Sequence, residues 1–115
     1  MAIIRGTTPV ISLDLEGVDF TGYTVYATLD QNGEQITKSG EQLAIEPLYA
    51  DEEETEVIGS TVHMFLSQDD TLRLEQGRAE VQVRWVNDID EAFASDIGQV
   101  QLSRVLLEEV ITYGN

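Results

Sequence analysis

The sequence holds no cysteine, one histidine and only six lysine or arginine residues among 115. Without cysteine there is no disulfide framework, no thiolate metal site and no thiol nucleophile. The scarcity of basic residues, set against 22 carboxylates and a formal net charge of −16, excludes much more. Phosphate backbones are held by Lys and Arg, so nucleic-acid binding is disfavoured, and anionic membrane surfaces with it. No charged stretch followed by an apolar run opens the chain, so no secretory signal is expected. No apolar run approaches the roughly 18 residues of a membrane span.

What is present suits one folded domain over residues 1–115. The hydrophobic content is 42%, and a chain of this length buries about two-thirds of its unfolded surface. The apolar residues are patterned. From Thr8 to Leu15, Ile11, Leu13 and Leu15 alternate with polar positions, the rhythm of a half-buried strand. Tyr23 to Asp30 repeats it with Tyr23, Val25, Ala27 and Leu29, and Asn32-Gly33 follows as a tight hairpin turn. Gln35 to Lys38 is the returning strand, and Leu43 to Glu46 a short extension that Pro47 should end. Asp51 to Glu56 is an acidic run expected to be solvated and mobile.

Val57 to Leu66 then places Val62, Met64 and Leu66 inward and Thr61, His63 and Phe65 outward. At Ser67 the period changes. Ser67 and Asp70 have capping-box spacing, and Leu72 and Leu74 would close one helical turn onto the sheet. Ala79 to Val86 is the clearest strand, with Val81, Val83 and Trp85 inward; phase makes Trp85 the pin of the core. Ala92 to Arg104 carries one more strand or a pair, with Ile97 out of phase and a bulge expected near Gly98. About seven short strands and one helical turn make an all-β, antiparallel sandwich.

Candidate chemistry is sparse. His63 lies on an outward face, and no Gly-x-Ser-x-Gly element or Gly-rich phosphate loop occurs. The expectation is no enzyme and no cofactor. Asn87, Asp88, Asp90 and Glu91 form a polar turn whose three carboxylates offer oxygen ligands to a cation, although a plain hairpin loop explains them better. Tyr26 and Phe65 are outward aromatics, a binding patch only if they are neighbours. The apolar ends stand out. Ile3 and Ile4 at the start, and Leu106, Leu107, Val110 and Ile111 at the finish, either complete edge strands or dock against another subunit.

Three stretches resemble a family of small tail-associated proteins of bacteriophages and prophages. They are Ile4-Arg5-Gly6-Thr7-Thr8-Pro9, Leu66-Ser67-Gln68-Asp69-Asp70-Thr71-Leu72, and Gly77 with Glu80-Val81-Gln82-Val83-Arg84-Trp85 and Ala94-Ser95. The resemblance implies an immunoglobulin-like sandwich, similar to the amino-terminal domain of phage baseplate upper proteins. It implies a structural role in the virion, found in the host cytoplasm before assembly. Its partners would be other tail proteins or further copies of the chain, so a homo-oligomer is compatible. The acidic run at Asp51 to Glu56 departs from the family pattern. The alternative expectation is a carbohydrate- or cell-surface-binding sandwich module using Tyr26 or Phe65.

Overall fold

A computed structural model describes residues 1–114. Nine strands form two packed sheets: β1 (Ala2–Ile4), β2 (Val10–Glu16), β3 (Thr24–Gln31), β4 (Glu34–Ser39), β5 (Leu43–Tyr49), β6 (Val57–Phe65), β7 (Gly77–Val86), β8 (Ala92–Ala94) and β9 (Gly98–Ser103). One sheet has the order β1-β9-β7-β3-β4, with β8 also pairing β7, and the other has the order β2-β6-β5. The chain crosses between sheets after β1, β2, β4 and β6. This is the Greek-key crossing of an immunoglobulin-like sandwich, with three strands facing the larger sheet. Every strand pair is antiparallel except β1 with β9.

Period two builds this architecture. Val25, Ala27 and Leu29 of β3, Val62 and Met64 of β6, and Val81 and Val83 of β7 are all buried, each set pointing to one face of its strand. They form one apolar cluster with Ile11, Ile36, Leu74, Val100 and Leu102. Asn32 and Gly33 both have positive φ, 52° and 93°, as the tight turn joining β3 to β4 requires. Helix α1 (Gln68–Leu72) starts at the expected capping box: Asp70 N–H donates to Ser67 Oγ at 3.0 Å, and Ser67 N–H donates to Asp70 Oδ2 at 2.8 Å. Leu74 just beyond it is buried.

Four expectations change. Among the described residues there are nine strands: Ala92 to Arg104 holds a pair, β8 and β9, and β1, three residues long, is too short to show a period. Pro47 does not end its strand. β5 continues to Tyr49, because it lies at the sheet edge, where a missing N–H need not face a partner. Trp85 is half-buried and not a central pin. It stands near the end of β7, with its ring edge-to-face with Phe20 (5.2 Å) and stacked with Phe93 (6.2 Å, 22°). The acidic run is exposed as expected, but it is also a bonded turn. The Asp51 carboxylate accepts from Thr55 N–H at 3.0 Å and from the Thr55 hydroxyl, which holds its pKa below the usual value.

The irregularity expected near Gly98 is present. Val81 pairs with Gly98 and Arg84 with Ala94, so residues 95–97 lie opposite only 82–83. Ile97, in that extra length, is exposed. Gly59 was missed: a Cβ there would collide with the Leu15 carbonyl, so β6 and β2 approach too closely for a side chain.

Candidate functional site

The two apolar ends of the chain meet at one end of the sandwich, beside α1. The amino-terminal arm is fixed there by a dense set of bonds. Thr71 is fully buried; its hydroxyl accepts from Gly6 N–H (2.9 Å) and donates to the Thr7 carbonyl (3.0 Å). Gly6 has φ 77°, a left-handed turn. The Arg5 guanidinium donates to the carbonyls of Leu72 (3.0 Å) and Leu74, groups that a helix end leaves without internal partners. Leu66 N–H donates to the Pro9 carbonyl at 3.1 Å. The first two stretches that carry the phage resemblance are therefore one hydrogen-bonded corner. The third is self-contained: Ser95 N–H donates to the Val83 carbonyl (2.8 Å), and Ser95 Oγ accepts from Val83 N–H (3.0 Å).

Ile3 is not a surface contact. It is 2% exposed, because β1 pairs in parallel with β9, Ile3 opposite Leu102, and this turns Ile3 into the core. Ile4, on the other face of the same strand, is exposed.

The carboxy-terminal segment behaves differently. Leu106 is 87% exposed, and Leu107, Val110, Ile111 and Tyr113 are also exposed. Polar groups hold the segment in place. Glu108 pairs with Arg5. The Gln68 side-chain amide donates to the Ile111 carbonyl (3.0 Å) and accepts from Ile111 N–H (2.8 Å). Tethered by polar atoms with apolar side chains turned outward, the segment is an exposed hydrophobic surface of the kind that marks an interaction site.

Tyr26 and Phe65 are exposed, at 41% and 46%, but they lie on the outward faces of opposite sheets, one on β3 and the other on β6. They form no shared platform. Phe65 is instead registered with Val10 across β2 and β6, both exposed.

A second surface escaped the sequence pattern. A groove runs between β2 and the connection from β8 to β9, lined by Leu13, Leu15, Val18, Trp85 and Ile97 among others. Period two placed Leu13 and Leu15 inward, where they are only half-buried. Beside it, Phe93 stacks on Trp85 and lies edge-to-face with Tyr23 (6.1 Å). The groove exists because β1 joins β9 and leaves β2 at a sheet edge, a non-local outcome with no local signal.

His63 has more company than its outward phase suggested. Nδ1 lies 2.7 Å from Ser12 Oγ and Nε2 lies 3.1 Å from Glu46 Oε2, a serine–histidine–carboxylate row across three strands. Nucleophilic catalysis also needs a strained nucleophile and free N–H donors for an oxyanion. Ser12 is in mid-strand on extended backbone, not on a strained turn, so the row reads as cross-strand hydrogen bonding on a sheet face. The Asn87–Glu91 turn is closed on itself: Asn87 Oδ1 accepts from Ile89 N–H (3.1 Å) and Glu91 N–H (2.9 Å). Among the described residues no group of three or more His, Cys, Asp or Glu is placed to hold a metal ion. No helix among them is long and apolar enough to cross a membrane.

Comparison with family models, with curated proteins and with solved structures finds no match for this chain.

Proposed function

We propose that the chain is a structural protein of a bacteriophage or prophage particle, tail- or baseplate-associated, that works by docking to other proteins. The observation that carries this reading is the carboxy-terminal segment, whose Leu106, Leu107, Val110, Ile111 and Tyr113 face solvent while polar tethers hold the backbone. The immunoglobulin-like fold and the three stretches similar to phage tail-associated proteins support the same role. A rigid sandwich presents the segment, and repetition of such modest contacts within an assembly makes them strong together. The net charge of −16 keeps free copies apart before assembly.

The test is gel filtration with light scattering, on the chain alone and co-expressed with the products of adjacent genes. The full chain should enter a larger complex, and a chain ending at Val105 should not. A monodisperse monomer that ignores co-expressed tail proteins would overturn the proposal.

A further inference from the structure

The groove beside β2 has three properties that together select an occupant. The first is an unused strand edge. β2 has one ladder, to β6, and among the described residues no strand pairs its other side. An edge of seven residues is a template for one more strand. The second is the floor: Leu13 and Leu15 are half-buried, with Trp85 and Ile97 on the far wall. The third is charge. Asp14 and Glu16 rim the groove on β2 and Asp96 rims it opposite, while no lysine or arginine is among the described residues that line it.

We propose that this groove binds an extended basic segment of a partner protein, which adds to β2 as a further strand. Alternation dictates the partner's sequence. A strand on this edge has successive side chains on opposite faces. One set lies on Leu13, Leu15 and Trp85 and is apolar. The other set lies beside Asp14 and Glu16 on the outer face, where opposite charge stabilises a cross-strand pair and like charge opposes it. The recognised segment therefore alternates Lys or Arg with Val, Ile or Leu where it passes Leu13 to Glu16. A second copy's β2 edge is the poorer occupant, because it would bring its own Asp14 and Glu16 to a rim that is already acidic. Main-chain bonds to the edge hold the segment, and the groove selects its side chains. The inference rests on the docking role and names the chemistry of one partner; it uses a surface separate from residues 106–113.

Trp85 is the only tryptophan and lines the groove, so its emission reports occupancy. The probe is a synthetic heptapeptide alternating Lys and Val. Its titration should give a saturable shift of Trp85 emission to shorter wavelength, weakening with added salt. A Glu-Val heptapeptide should give none. The double variant Glu16→Lys with Asp96→Lys, checked by circular dichroism for an intact fold, should bind the Lys-Val peptide about tenfold more weakly or worse. A Lys-Val peptide N-methylated on alternate amides keeps charge and side chains but can pair with a strand along one edge only; with methylation in either register tested, one register should lose binding. Equal binding of both methylated peptides would mean charge attraction alone and overturn the proposal, as would no response to any basic peptide. The chain ending at Val105 should bind the peptide normally. Loss of peptide binding with tail-dependent assembly intact removes the groove alone, and the converse removes the docking segment alone.

Discussion

The first few residues and residues 106–114 are similar in composition and opposite in fate. Both are short, rich in branched apolar side chains, and adjacent in space at the α1 corner. Ile3 is buried and Leu106 is almost fully exposed. The difference is a ladder. β1 finds the free side of β9, and parallel pairing turns alternate residues into the core. The last residue of that ladder is Ser103; among the described residues the chain beyond it joins no strand, and the Arg5 and Gln68 side chains tether it. Apolar content does not decide whether a chain end is core or surface; an available strand edge does.

The largest expected effect breaks the buried side of this comparison. Ile3→Ala leaves a cavity between the sheets and should cost about 3 kcal/mol, read as a lower denaturant midpoint at unchanged slope. Leu106→Ala should change it hardly at all. Equal costs at the two positions would mean the carboxy-terminal segment is part of the core. Next comes the clasp that seats the arm. Thr71→Val keeps the shape but removes the partner of Gly6 N–H and the Thr7 carbonyl, and should cost about 2 kcal/mol with faster hydrogen exchange at Gly6.

Acid should loosen the same corner. Burial alone raises the Asp70 pKa, but the Lys38 ammonium at 2.8 Å and the Ser67 bonds outweigh it, and the carboxyl sits below its ordinary value. A group depressed in the folded state gives its full stabilisation above its unfolded pKa, about 3.9, and loses it as pH falls through the folded value. Denaturation midpoints should therefore fall on acidification below about pH 4, and less steeply in Asp70→Asn. Asp19 and Asp51 are also lowered, by Thr21 and Thr55 respectively, but they are exposed and add little to this slope.

How much of this was legible follows from which interactions are local. The turn at Asn32-Gly33, the capping box of Ser67 and Asp70 and the inward set of Val81 and Val83 each depend on residues a few positions apart, and each is where the pattern puts it. The extra residue before Gly98 showed as a phase slip. Ile3 could not be placed, because its burial depends on Leu102, almost a whole chain away. Pro47 misled because edge position is a property of the sheet and not of the strand. Trp85 kept its phase, but period two says which face a residue is on and not how far along the sandwich cover extends. The groove beside β2 is the extreme case: it exists because of a pairing made elsewhere.

The smallest stability effect belongs to the segment proposed to have the largest role. A chain ending at Val105 loses the Arg5–Glu108 pair, whose carboxylate is largely solvated, and the exposed Gln68 bonds to Ile111. Such contacts contribute little, so stability should shift by less than about 1 kcal/mol. Gln68→Ala should move it less still while releasing the segment, read as faster amide exchange at Ile111. If truncation instead lowered stability as much as Ile3→Ala, the segment would be structural cover for the α1 corner. A near-silent truncation that abolishes assembly gives the opposite assignment: residues 106–113 are held ready on weak polar tethers, and their apolar side chains are buried only against a partner.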